Sequence, residues 1–199
     1  MGYIDLYLLH SPYGGKQKRL ECWRAVEDAI HEGEVKCGGV SNFGVKHVSQ
    51  LPLSSPFVFE NNRADEGGRQ LQELLDSKPK ILPAVNQIEI HPFNTQIRIS
   101  TFCASHNITI QAYAPLAKAM RFSHPVVKSL SKKYGCTPAQ LLLRWGLQKG
   151  YCVLPKSVKR ERIVENGDIG NFEIEEEDVR KMGELDEGLV TDWDPTDAD

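Results

Sequence analysis

Short apolar runs alternate with amphipathic stretches along this chain. Tyr3–Leu9 opens it as a strand, and "MGYIDLYLLH" reads as buried from the third residue onward. A helix follows over Arg19–Glu32, where Leu20, Trp23, Val26, Ala29 and Ile30 recur at three- and four-residue spacing. The run "VKCGGVSNF" predicts a second strand, and "PAVNQIEIH", "ITIQAYAP" and "YCVLPKS" predict the third to fifth. Helices are predicted near Thr95–His106, near Pro125–Tyr134 and over Pro138–Lys149, the last with Thr137 as N-cap and Pro138 at its first position. Strands alternating with helices imply a parallel sheet, in a β/α barrel or a doubly wound fold, and periodicity alone does not choose between them.

The polar residues favour the barrel. They gather at the carboxyl ends of the apolar runs: His10 after the first, Ser41 and Asn42 after the second, Asn86 and Gln87 in the third, Tyr113 closing the fourth, Lys156 and Ser157 closing the fifth. A β/α barrel carries its site on that rim and holds phosphate after its last strands, at a helix N-terminus. In the stretch "YCVLPKSVKRERIVEN", Arg162, Glu165 and Asn166 follow Lys156 and Ser157 at helical spacing. Lys156, Ser157 and Arg162 stand in that place, where a phosphate takes a point charge and a forked guanidinium together.

Composition narrows the class. With 199 residues, a formal net charge of −3 and 40% hydrophobic content, the chain suits a soluble globular domain with one sizeable core. The near-neutral balance gives no case for nucleic acid or a membrane surface as partner. No apolar run reaches the length of a membrane span, and no signal peptide opens the sequence. Cys22, Cys37, Cys103, Cys136 and Cys152 are scattered, which predicts reduced thiols in a cytoplasmic protein and no zinc site; the six histidines show no ligand spacing, so no metal is expected.

At this point the stretches "DLYLLHSP", "GVSNF", "PAVNQIEIHPF", "QAYAPLA" and "LPKSVKRERIVEN" resemble the aldo-keto reductases, in that family's order, from Tyr3 to about Glu187. The resemblance implies an α/β fold, a (β/α)8 TIM barrel of aldo-keto reductase type, incomplete here with about five of eight strands. It implies NADPH as cofactor and a small aldehyde or ketone as substrate. Carried over by position, His10 orients the substrate. Ser41, Asn42 and Gln87 hold the nicotinamide carboxamide, and Tyr113 stacks on the nicotinamide ring. Lys156, Ser157 and Arg162 grip the adenosine 2′-phosphate, while Glu165 and Asn166 reach the adenine. Residues 188–199 form a tail expected near the substrate mouth, where Trp193 is a candidate lining residue. A non-catalytic NADPH-binding module is the rival reading.

Two features depart from the pattern. The family's reaction uses a tyrosine as general acid, tuned by a lysine paired with an aspartate, all on strands that precede "DLYLLH". None of the six tyrosines here lies in an Asp-x-x-x-x-Tyr context, so of the four catalytic groups only His10 is present. An incomplete barrel is further expected to leave unpaired edges through which the chain self-associates. The second departure is the segment Val48–Gln70, which holds Pro52, Pro56 and the Gly67-Gly68 pair and interrupts a helical pattern. With it removed, Val45, Leu71, Leu74 and Leu75 share one helical face. A tolerated surface loop is one reading. A retained intron translated in frame is another: Val48-Ser49 can be encoded as GTAAGT, Ala64-Asp65 can contain CTGAC, and Gln70 can be CAG.

Overall fold

The computed structural model describes residues 2–45 and 70–196, so the predicted insertion lies outside the described residues apart from Gln70. Residues 2–45, 70–84 and 195–196 form one compact unit and 85–194 form another.

The first unit contains β1 (Ile4–Leu9), α1 (Gly15–His31), β2 (Val35–Ser41) and α2 (Gln70–Asp76). β1 and β2 pair in parallel, with Leu9 opposite Val40. Trp23 and Val26 of α1 are buried against this pair. A Cβ on Gly38 would stand 2.6 Å from Val26 Cγ1, so the helix lies this close to β2 only because position 38 carries no side chain. The segment leading to the next strand is pinned to α1, since Trp23 Nε1 donates to the Ile81 carbonyl at 3.0 Å and Glu27 accepts from the Ile81 amide at 2.9 Å.

The expectation of a buried first strand is corrected. Tyr3, Ile4 and Tyr7 are each about half exposed, at 54%, 50% and 46%. Within its unit β1 is hydrogen-bonded on the side of β2 alone, and these three side chains stay half open among the described residues. Lys36 satisfies part of the exposed row, lying 3.5 Å from the Tyr3 ring and 3.1 Å from Asp5.

The start of α2 has a specific geometry. The Leu71 amide donates to the Gly44 carbonyl at 3.2 Å, and the Gly44 amide donates to Gln70 Oε1 at 2.8 Å. A backbone bond to the carbonyl four residues back, together with a glutamine three residues on that reaches back to the first amide, is the bonding of an α-helix N-terminus with a capping glutamine. Gly44 therefore stands to α2 as its N-cap across the intervening sequence. Leu71 and Leu74 are buried and Leu75 and Val45 half-buried, as their spacing predicts.

The second unit contains β3 (Val85–Glu89), α3 (Ile97–Ser105), β4 (Thr109–Tyr113), α4 (Pro125–Tyr134), α5 (Pro138–Gln148), β5 (Cys152–Leu154), α6 (Arg160–Gly167) and α7 (Glu176–Gly183). β4 pairs in parallel with β3 on one side and β5 on the other. Its register sets Gln87 beside Gln111, and brings Glu89, Tyr113 and Leu154 level at the carboxyl ends of the three strands. Thr137 caps α5 as predicted, in a reciprocal pair with Gln140. Leu141, Leu142, Leu143 and Trp145 fill the core beneath it, and Trp145 Nε1 is satisfied by the Val179 carbonyl at 3.1 Å. The predicted helix near Thr95–His106 begins at Ile97. Thr95 gives its hydroxyl instead to Asp186, beyond α7. No described helix is long and apolar enough to cross a membrane.

Candidate functional site

Of the ten candidate residues, His10, Ser41 and Asn42 belong to the first unit and the other seven to the second.

His10 follows β1 directly, and Ser41 ends β2. Asn42 comes next with φ of 60°, a left-handed conformation that asparagine tolerates better than most residues. That turn aims its amide at 3.3 Å from the His10 carbonyl and 3.2 Å from Ser41 Oγ, so the three candidates share one hydrogen-bonded cluster. Ser41 and Asn42 are buried while His10 is exposed. His10, Ser11 and Tyr13 line a cleft of about 210 Å³ with Arg19 at its wall. Arg19 is a residue the sequence reading missed. It is buried, donates to the Pro12 carbonyl at 2.8 Å and pairs with Glu73 of α2 at 2.7 Å, which fastens the loop carrying His10 to a helix.

In the second unit, Gln87 projects from mid-β3 and its amide donates to Gln111 at 2.8 Å. The neighbouring Asn86 is wholly buried and turns the other way, its Nδ2 donating to Cys103 Sγ at 3.9 Å. Burial pushes the Cys103 thiol up to about 12, which makes it unreactive. Tyr113 ends β4 half-buried, with its hydroxyl donating to the Trp193 carbonyl at 3.0 Å. Burial first, then the charges of Glu89, Asp194 and Asp192, hold this phenol well above the ordinary tyrosine range. Tyr113 is thus a flat neutral surface at neutral pH and a poor proton donor.

Lys156 and Ser157 lie in the loop from β5 to α6. Ser157 Oγ accepts from the Lys159 amide at 3.2 Å and shapes the turn into the helix. Lys156 and Arg162 are exposed, and among the described residues neither has a hydrogen-bond or ion-pair partner. Lys159 is the N-cap of α6 but provides no side-chain cap, and Glu161 is the single acidic residue in the first turn. Lys156, Lys159, Arg160 and Arg162 thus crowd positive charge at the positive end of a helix dipole. That placement is unfavourable by itself and becomes favourable when an anion sits there. Glu165 is half-buried with its carbonyl accepting from Gln140, and Asn166 is buried. Ile163 and Val164 of α6 are exposed at 55% and 66%, giving the helix an open apolar surface, and Val158 in the loop before it is exposed at 92%.

The largest feature absent from the sequence reading is Glu89. It is 3% exposed yet carries a charge-assisted network: Oε1 accepts from Thr191 N at 2.8 Å, Thr191 Oγ1 at 2.6 Å and His91 Nε2 at 3.1 Å, and Oε2 accepts from Asp192 N at 3.1 Å. One signal could have found it: in "NQIEI", Glu89 alternates with Ile88 and Ile90 and falls on the face of Gln87.

Comparison with known proteins gives the chain's family. The sequence model of the Aldo/keto reductase family matches residues 1–187. An uncharacterized oxidoreductase of Schizosaccharomyces pombe is 44% identical over 98% of this chain and 62% of its own length. Glyoxal reductase of Bacillus subtilis is 36% identical over 93% of this chain and 58% of its own. A solved aldo-keto reductase of Bombyx mori in complex with NADP superposes with a TM-score of 0.78 at 28% identity, covering 96% of this chain and 60% of that one. The chain thus spans about three-fifths of the length of these relatives.

Proposed function

We propose, from the premise that the chain belongs to the aldo/keto reductase family, that it carries the NADPH-binding part of a reductase of small aldehydes or ketones. Its fold class is the family's α/β barrel, of which the chain is a part with five parallel strands. One observation carries the cofactor reading: Lys156 and Arg162, without a partner among the described residues, stand beside the N-terminus of α6, which is basic and has no side-chain cap. A phosphate dianion there would meet Lys156, Ser157 and Arg162 and reverse the adverse dipole term. The exposed apolar side of α6, with Glu165 and Asn166 at its end, suits a purine, and a 2′-phosphate next to a purine distinguishes NADPH from NADH. The complex of the Bombyx mori relative with NADP supports the same choice.

The reduced nicotinamide supplies hydride to the carbonyl carbon when bound. Tyr113 offers the flat face for its ring, and Gln87 an amide donor and acceptor for its carboxamide, with Ser41 and Asn42 assigned to the same group. His10 is the residue we assign to hydrogen-bond the carbonyl oxygen. The relative that reduces glyoxal supports a small aldehyde as substrate.

Proton delivery to that oxygen is where this chain differs. Its 199 residues hold no Asp-x-x-x-x-Tyr, and Tyr113 is held too strongly protonated to replace the acid. Positioned general acid catalysis contributes about 10²–10⁴-fold. NADPH consumption with glyoxal by the 199-residue chain should therefore run about 10²–10⁴-fold below that of the Bacillus subtilis glyoxal reductase assayed beside it. Rates within a few-fold of each other would overturn this part of the proposal. The same observation favours a second reading, a non-catalytic NADPH-binding module, whose signature is NADPH binding without turnover.

A further inference from the structure

The segment that follows α7 crosses the carboxyl ends of β3 and β4 as a strap fastened along its length. Asp186 takes the hydroxyl and amide of Thr95, and the amides of Glu187 and Leu189 donate to the Phe93 carbonyl at 3.2 and 2.9 Å. Glu187 pairs with Arg121 at 2.7 Å and Asp192 with Lys118 at 3.5 Å. The two ion pairs sit at or near the surface. The contact with Glu89 does not.

A buried carboxylate costs heavily unless its lone pairs are filled. Burial pushes Glu89 up, but bonds from His91, Thr191 and Asp192 outweigh it and bring the carboxyl below its ordinary range. As an acceptor-only group it requires His91 to donate from Nε2. Three of its four donors come from the strap or its hydroxyl, so the charge is tolerated in the core only while the strap is down. One residue further on, the strap's Trp193 carbonyl takes the Tyr113 hydroxyl, and the register of the sheet puts Tyr113 directly beside Glu89.

We propose that Glu89 is a positioning residue for the cofactor platform: it anchors Thr191 and Asp192, and the strap so held fixes the phenol of Tyr113 through the Trp193 carbonyl. Its link to the cofactor rests on the reading that Tyr113 stacks on a nicotinamide; its link to the strap does not. The chain of contacts joins residues about a hundred positions apart, from the middle of the sequence to its tail.

The test uses the 199-residue chain as wild type, E89Q, Y113F and the double variant, each followed by two readouts. Hydrogen exchange reports the strap amides of residues 191–193, and NADPH fluorescence reports cofactor affinity. Glutamine keeps the shape but turns one acceptor oxygen into a donor facing amide donors. E89Q is expected to speed strap exchange at least about tenfold and to weaken NADPH binding about tenfold, the loss of one to two hydrogen bonds to a charged group. Y113F is expected to weaken binding less, and the double variant to bind no worse than E89Q alone, because both act on one path. Unchanged strap exchange in E89Q overturns the anchor. Strap release with NADPH affinity unaltered, or effects of E89Q and Y113F that multiply independently, overturns the link to the platform. If the wild-type chain binds no NADPH, the cofactor reading and the platform link fail together, while strap exchange still decides the anchor. Should E89Q not fold, T191V removes one strap donor and leaves the carboxylate in place; it is expected to speed exchange at 191–193, and unchanged exchange there counts against the anchor.

Discussion

Replacing Lys156 and Arg162 together by alanine is expected to weaken NADPH binding roughly a hundredfold while leaving NADH binding unchanged. A hydrogen bond to a charged group is worth about 1.5–3 kcal/mol where water is excluded. Both side chains are exposed here, so screening reduces each contribution, and the lower end applies twice. The variant should also fold normally, since neither residue has a described partner to lose. Removing positive charge from the start of α6 should even leave that helix slightly more stable without ligand. Titration of NADPH and NADH fluorescence with wild type and variant checks this. An equal loss for both nucleotides would place the two cations away from the 2′-phosphate.

Deleting residues 48–70 is expected to leave a folded chain with a higher melting temperature. Leu71 and Gly44 are 27 positions apart yet bonded as residues four apart, so the register of α2 is met by removing 23 residues, the length of Val48–Gln70. Closing 23 additional residues between two fixed ends costs on the order of 3 kcal/mol, which corresponds to about 6–12 °C in a chain of this length. Deleting residues 47–69 has the same register and keeps Gln70 as the capping side chain for the Gly44 amide. Deleting 22 or 24 residues turns Leu71 and Leu74 about 100° off their buried face and should destabilise the chain. A melting series over these four variants decides it: stabilisation confined to the 23-residue deletions supports an insertion into one helix. Melting temperatures that ignore the register would contradict it.

Much of this architecture is legible in the sequence, for identifiable reasons. The five strands and the N-cap of α5 follow from local signals, an apolar run of strand length or a Thr-Pro pair. Lys156, Ser157 and Arg162 are legible because the residues that meet a phosphate lie within one loop and one helical turn. Where contacts join distant positions, sequence gives little. The strap's hold on Glu89 and the bond from Arg19 to Pro12 and Glu73 depend on which segments the fold brings together. α7 begins with Glu176, Glu177 and Asp178 and shows too short an apolar pattern to stand out. The burial of β1 was misjudged for a related reason: an apolar strand records what a complete sheet would cover, and within its unit only β2 pairs with it.

The central claim, that this chain carries an NADPH site, is tested most directly by titrating the 199-residue protein with NADPH and NADH in parallel and following nucleotide fluorescence. Saturable NADPH binding, at least about tenfold tighter than NADH and weakening as salt rises, is the predicted result. No saturable binding, or equal affinity for the two nucleotides, would contradict it.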